Sequence, residues 1–139
     1  MKVCFVLCEK FSSMKGGSEL QAMLLSNEMA LRDIEVSYIY YGSKTTIIPE
    51  IVDNVRYYSV KKPFKCFSIF NYLNYSEIYK LIEHIGPDTV YQRGISNGVI
   101  FQDICQKLKI NFFLHITKND QCNPLTSKSW FERNIKYYN

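Results

Sequence analysis

The amino-terminal stretch joins an apolar strand to an amphipathic helix through a loop that ends in two adjacent glycines. The run from Lys2 to Cys8 is apolar and rich in β-forming residues, and Gly16 and Gly17 precede a helix start at Ser18. Ser18 and Gln21 fit a capping box, in which two side chains satisfy backbone N–H groups at a helix start. Glycine lets the backbone approach a ligand, and a helix N-terminus favours negative charge. This unit therefore predicts an anion site.

Strands and helices alternate along the rest of the chain. Strands are predicted at 34–41, 54–60, 88–91 and 111–116, with a short extended piece at 45–49. Helices are predicted at 68–84, 96–109 and 129–137. The strands are apolar on both faces, which is typical of parallel strands that are covered on both sides. The order predicts an α/β fold, a Rossmann-like three-layer sandwich with a mostly parallel sheet.

The first helix has one face on which the apolar residues concentrate. Its members follow one another at helical spacing, and such a face is the one that packs on a core. They are Leu20, Met23, Leu24, Asn27 and Leu31.

Size and composition fit one globular domain over residues 1–139. The chain is 47% hydrophobic and 22% charged, and its net charge of +4 permits an anionic ligand or a membrane surface without selecting either. None of the five cysteines forms a C-x-x-C pair, which argues against zinc and favours reduced thiols. The apolar start is too short for a signal peptide or a membrane span. We therefore expect a cytoplasmic protein without a metal or cofactor.

Polar residues follow several of the predicted strands. In an open parallel sheet the ligand crevice lies beyond the carboxyl ends of the strands, so these residues are expected to share one rim. The groups are Glu9-Lys10 with Gly16-Gly17, then Tyr41-Gly42, Gln92-Arg93 and His115.

The order of these pieces resembles the N-terminal domain of GT-B glycosyltransferases of the family-4-like group. The matching stretches are KVCFVLCEKF, KGGSELQAMLLSNEMALRDIEVSYIYYG, GPDTVYQRG and INFFLHI, which cover nearly the whole chain. They correspond to a strand, a glycine pair before a glutamate, a helix of small and apolar residues, and later strands opened by Pro-Asp or ended by His. The chain departs from the pattern at Asp33-Ile34, where the family commonly has Gly-His, and at Gln92-Arg93, where a histidine is frequent.

The resemblance implies one half of a two-domain enzyme. The N-terminal half of such an enzyme shapes the acceptor site, and the C-terminal half binds the nucleotide sugar. We therefore expect a transferase that moves a hexosyl group from a nucleotide-sugar donor to a glycan or lipid-linked acceptor in polysaccharide biosynthesis. The donor half is missing from these 139 residues, so the chain is expected to be inactive alone.

The resemblance, together with the position of each residue at the crevice, suggests the site residues. His115 would be the catalytic residue that contacts the transferred sugar, and Gly16 and Gly17 would offer backbone N–H groups to the donor diphosphate. Arg93 suits a phosphate or carboxylate because its guanidinium donors form a fork. The acceptor and substrate contacts would be Glu9, Lys10, Glu19, Arg93 and Asp120.

Structural alternatives exist for these residues. The glycine pair can serve a turn that needs positive φ, and His115 can be a satisfied structural histidine. Glu19 can be a first-turn acid favoured by the helix dipole. Arg93 can be a surface arginine that pairs with an acid such as Asp103.

The basic and aromatic residues bear on two other kinds of partner, a membrane surface and a nucleic acid. Lys61, Lys62 and Lys65 alternate with Phe64 and Phe67, a pattern that fits either a solvated loop or peripheral contact with the inner face of a membrane. The many tyrosines lie in predicted strands and helices, where packing explains them, so no nucleic acid is expected.

The alternative function is a stand-alone Rossmann-like binding or regulatory module without catalysis.

Overall fold

The computed structural model of the protein describes residues 1–7, 17–61, 74–93 and 98–115. This part of the chain forms an α/β fold with three helices and six strands. The elements in chain order are β1 (Lys2–Leu7), α1 (Gly17–Leu31), β2 (Glu35–Gly42), β3 (Glu50–Val52), β4 (Val55–Lys61), α2 (Tyr75–Ile85), β5 (Thr89–Arg93), α3 (Gly98–Leu108) and β6 (Asn111–His115). The predicted helix at 129–137 and residues 68–73 of the predicted second helix lie outside the described residues.

The six strands form one sheet in the order β3-β4-β2-β1-β5-β6. Neighbouring strands are parallel except for β3 and β4, which are antiparallel. The predicted mostly parallel sheet is therefore confirmed, and the strand order is consistent with a Rossmann-like fold. The chain moves outward from β1 in one direction and returns to its other side with β5. The crevice beyond the carboxyl ends of β1 and β5 is thus the switch point at which open α/β sheets bind ligands.

The larger buried cluster lies on the sheet face that α2 and α3 cover. Alternate strand residues point to opposite faces, and Val6, Ile39 and Val90 reach this one. They pack in one cluster with Ile82 of α2 and Ile104 of α3, both completely buried. Burial of each such side chain stabilises the fold by roughly 1.5–3 kcal/mol.

An aromatic row crosses the opposite face of the sheet, on which α1 lies. The members are register neighbours on five strands, in the order Tyr57, Tyr38, Phe5, Tyr91 and Phe113. Ring centroids are 5.1 Å apart for Tyr57–Tyr38, 5.2 Å for Tyr38–Phe5 and 5.4 Å for Phe5–Tyr91. The row is buried at Phe5 and Tyr38, whereas Phe113 at the sheet edge is 59% exposed.

Helix α1 contacts this row by a face that the sequence pattern did not indicate. The Tyr38 hydroxyl oxygen lies 3.0 Å from the Ala22 carbonyl oxygen and 2.9 Å from Ser26 Oγ, and Ala22 and Ser26 are buried. The prediction of a core-facing stripe from Leu20 to Leu31 is wrong, because three of its leucines are exposed. Small side chains let the helix approach the large rings, so side-chain volume decided which face is buried.

The segment between β2 and β4 also differs from the prediction. No strand forms over 45–49, because the side chains of that segment bond to β4: Thr46 Oγ1 accepts from the Ser59 N–H and Thr45 Oγ1 from the Lys61 N–H, each at 3.1 Å. A hairpin that was not predicted, β3–β4, follows instead. Its two turn residues, Asp53 and Asn54, have φ values of 50° and 64°, as a type I′ turn requires.

Asn54→Val should lower the free energy of unfolding by about 1–2 kcal/mol, because a β-branched residue is strained at positive φ. Asn54→Gly is the matched variant, since glycine adopts this conformation without a steric penalty and should leave stability unchanged or raise it. Urea unfolding followed by circular dichroism measures both. A valine variant as stable as the parent would contradict the turn geometry.

A polar cluster on the surface joins α2 to α3. The Tyr75 hydroxyl donates to Asp103 Oδ2 at 2.6 Å, and Lys107 Nζ donates to both Asp103 Oδ2 and the Tyr75 hydroxyl oxygen at 2.9 Å. The hydrogen bond from Tyr75, opposed by partial burial and supported by Lys107, holds the pKa of Asp103 below its usual value. Ionisation of this carboxyl therefore stabilises the native state above the unfolded pKa, and that stabilisation is lost as the pH falls through the native pKa.

Asp103→Asn should therefore lower the urea midpoint at neutral pH, and its difference from the parent should narrow as the pH falls through the acid range. Glu83→Gln is the matched control, because Glu83 is exposed on α2 and should change the midpoint little at either pH. A midpoint difference for Asp103→Asn that stays constant with pH would show that the carboxylate charge is not involved.

Candidate functional site

The carboxyl edge of the sheet carries the candidate residues that fall within the described ranges. Gly17 begins α1, Arg93 ends β5 and His115 ends β6. Glu19 lies in the first turn of α1, with its side chain outside the described part. Four further candidates, Glu9, Lys10, Gly16 and Asp120, lie outside the described residues.

Arg93 connects the end of β5 to the beginning of α1. Its Nη1 and Nη2 atoms donate to Gln21 Oε1 at 3.3 and 3.4 Å, which are long hydrogen bonds. Its Nε atom is buried and has no hydrogen-bond partner among the described residues. The predicted alternative of a pair with Asp103 is wrong, since that carboxylate bonds to Tyr75 and Lys107. Arg93 therefore places a positive charge beside Gln21 near the beginning of α1, and it also holds a buried donor without a partner among the described residues.

His115 lies beside Arg93 at the end of the neighbouring strand. The two residues are register partners on β6 and β5. The Tyr91 hydroxyl oxygen lies 2.7 Å from His115 Nδ1, and the two rings meet edge to face at 6.1 Å. This contact orients the imidazole and makes Nε2 the nitrogen that would meet a ligand.

Neither conformation nor packing demands a glycine at the start of α1. The φ of Gly17 is not positive, and a Cβ placed there would have nothing within 4 Å. The alternative of a turn that needs positive φ is therefore wrong for Gly17. At Gly42, the end of β2, a Cβ would lie 3.1 Å from Ser59 Cβ, so close packing on β4 accounts for that glycine.

Two residues at this edge were not identified as site residues from sequence. Gln21 was assigned only to the capping box, and in the structure its Oε1 accepts two long hydrogen bonds from Arg93. Tyr91 was assigned only to a strand, although it precedes Arg93 by two residues and thus lies on the same face. The spacing of two residues between Tyr91 and Arg93 was the signal in the sequence that could have identified Tyr91. In the structure His115 is the register partner of Arg93 on the neighbouring strand.

The arrangement favours an anion over a cation. Arg93 brings a guanidinium group, and the first N–H groups of α1 and the His115 ring are further donors on the same edge. Within residues 1–7, 17–61, 74–93 and 98–115, no three side chains of the types that bind metals come together. The chemistry available here is recognition and orientation of a phosphate or carboxylate.

The candidate membrane patch falls mostly outside the described residues. Lys61 ends β4 and is exposed, whereas Lys62, Phe64, Lys65 and Phe67 lie beyond it. Among the helices that the structure describes, none is long and apolar enough to cross a bilayer.

No protein-family model matches this chain. The search of curated proteins likewise gave no match.

Proposed function

We propose that this chain is the acceptor-side half of a GT-B glycosyltransferase, which moves a hexosyl group from a nucleotide-sugar donor to a glycan or lipid-linked acceptor. In this proposal the sheet and its helices form a Rossmann-like three-layer sandwich, and a donor-binding half faces its carboxyl edge. The observation that carries the proposal is the meeting of Arg93 with the first turns of α1, next to His115.

The proposed roles follow from charge and position. The nucleoside diphosphate gains negative charge as it leaves, so donors fixed beside it stabilise the transition state. Gly16, Gly17 and Arg93 supply such donors without a metal from this half. His115 contacts the transferred sugar through Nε2, and its contact with Tyr91 limits the orientations of the ring.

The proposal also includes residues for the acceptor. We assign Glu9, Lys10, Glu19 and Asp120 to acceptor contact, where carboxylates and an ammonium group bind sugar hydroxyls. In this proposal the half enzyme orients the acceptor and contacts the donor only at its diphosphate, so transfer requires a second half that binds the rest of the nucleotide sugar.

A two-step experiment tests the proposal. The 139-residue chain is first titrated with uridine diphosphate and with pyrophosphate, and amide shifts are followed by NMR. Shifts are expected to concentrate at Gly17, Arg93 and His115, whereas shifts scattered over the molecule would contradict the site. The chain is then combined with a donor-binding α/β half, and sugar transfer is assayed. Binding without transfer in any combination would favour the stand-alone binding module.

Gly17→Ala should weaken diphosphate binding about tenfold, equivalent to about 1.4 kcal/mol, because the added methyl group obstructs close approach of the ligand. The same change should leave the free energy of unfolding unchanged or raise it by up to about 1 kcal/mol, since alanine is the better helix former. Calorimetric titration and urea unfolding measure the two effects.

Ser76→Ala at the start of α2 serves as the control for this substitution, because Ser76 is exposed on a different helix. It should leave diphosphate affinity unchanged. If Gly17→Ala binds as tightly as the parent, the α1 terminus does not contact the ligand.

A further inference from the structure

The outward face of α1 carries apolar residues at the spacing of a coiled coil. Leu20, Leu24, Asn27 and Leu31 follow one another at intervals of four, three and four residues, as the a and d positions of a heptad repeat do. The leucines at 20, 24 and 31 are 51%, 58% and 81% exposed. We call these four residues the α1 stripe, and it extends for about 16 Å along the helix.

The α1 stripe lies on the side of the helix opposite the sheet. Residues advance by about 100° each around a helix, which puts Leu20, Leu24 and Leu31 within about 40° of one another. Ala22 and Ser26, which pack on the sheet, point about 170° and about 130° away from the centre of the stripe. The helix is therefore apolar on two opposite sides, and in the part of the chain that the structure describes the sheet covers one of them.

We propose that the α1 stripe is the interface of a two-fold dimer, in which it packs against the same stripe of a second copy of this chain. In a two-fold interface the same surface of both copies meets, so a net charge on one flank of the stripe would face the same charge on the partner or stay unpaired. Such an interface therefore disfavours flanks that carry unmatched charge. Among the α1 side chains that the structure describes, the charged one that borders the stripe is Glu28, and Arg32 Nη2 of the same chain lies 2.7 Å from its carboxylate oxygen. This neutral flank suits an identical partner better than a charged one.

Asn27 determines how the two helices are oriented. When the helices run parallel, each residue of the stripe meets its own copy, and the two Asn27 amides can donate to and accept from each other. An antiparallel pair centred on the stripe would place Asn27 against Leu24 and leave the buried amide unpaired, which is unfavourable. The dimer is therefore parallel, and the carboxyl edges of both sheets lie at the same end of the assembly.

Sedimentation analysis of the 139-residue chain over a concentration series tests this interface. About three helical turns bury less than a standard protein interface, so a dissociation constant of roughly 10–100 μM is expected. Leu24→Glu should be monomeric throughout the series, and the milder Leu24→Ala should weaken association at least tenfold. Ile48→Glu is the matched control, because Ile48 is 85% exposed in the β2–β3 connection and should leave the dimer intact.

Cysteine cross-linking tests the parallel orientation. Leu20→Cys should form a disulfide-linked dimer under mild oxidation, because Leu20 meets its own copy. Cross-linking only in a mixture of Leu20→Cys and Leu31→Cys would overturn the parallel arrangement. A parent chain that is monomeric at every concentration, or a dimer that survives Leu24→Glu, would overturn the interface. A monomer that Leu24→Glu unfolds would also overturn it, because the stripe would then be covered by the same chain.

Discussion

Arg93→Met should weaken the binding of uridine diphosphate by roughly ten- to a hundredfold. Methionine keeps an unbranched apolar side chain but removes the guanidinium charge and its donors, and a hydrogen bond to a charged group contributes about 1.5–3 kcal/mol. The affinity of Arg93→Lys for uridine diphosphate should lie between those of the parent and Arg93→Met, because lysine restores the charge without the planar fork. Calorimetric titration of the parent and the two variants measures the order of affinities.

The fold should tolerate this substitution. The Nε atom of Arg93 is buried without a partner among the described residues, and the two bonds to Gln21 are long, so little stabilisation is lost. Arg32→Met is the matched control, because Arg32 carries the same charge just beyond the other end of α1. An equal loss of affinity in both variants would mean that net charge, and not the sheet edge, attracts the ligand.

Phe5→Ala should lower the free energy of unfolding by about 3–5 kcal/mol, the range for removal of a buried phenylalanine ring. Phe5 is 1% exposed in β1, a strand with neighbours on both sides, and its ring lies 5.2 Å from Tyr38 and 5.4 Å from Tyr91. Its loss leaves a cavity where α1 meets the sheet. For a domain of this size the melting temperature should fall by roughly 10–15 °C.

Phe113→Ala is the internal control for this prediction. Phe113 ends the same aromatic row, but it is 59% exposed on β6 at the sheet edge. The identical chemical change there should alter stability by less than about 1 kcal/mol, because little surface is newly exposed to water. Equal losses from the two variants in urea unfolding would show that the row is not buried in the way described.

The alternation of apolar runs and amphipathic segments was enough to predict the fold class. Strands such as β1 and β2 are apolar on both faces, and such strands are stable only when helices cover both sides of a sheet. The end of α2 was also predicted from the sequence. Gly86 adopts φ 57° and its N–H donates to the Ile82 carbonyl at 2.9 Å, which is the left-handed helix end expected from Gly-Pro.

The sequence pattern was misleading where a segment could satisfy the same rule in two ways. α1 is apolar on two sides, so periodicity alone does not select the buried one, and the space beside Tyr38 admits only the side with Ala22 and Ser26. The β3–β4 hairpin was missed because its turn residues, Asp53 and Asn54, are a weaker signal than Asn-Gly. In both cases packing against a neighbouring element determined which structure formed.

By itself the sequence placed Arg93 and His115 close to the ends of two strands and Gly17 at the start of a helix, and a parallel sheet places such positions on one edge. In the structure Arg93 ends β5, His115 ends β6 and Gly17 begins α1. Only the tertiary structure decided that Arg93 reaches Gln21 and that Tyr91 orients His115, since these contacts join residues that are 72 and 24 positions apart. Strand order and register create such contacts, and they depend on which elements pack side by side rather than on any local pattern.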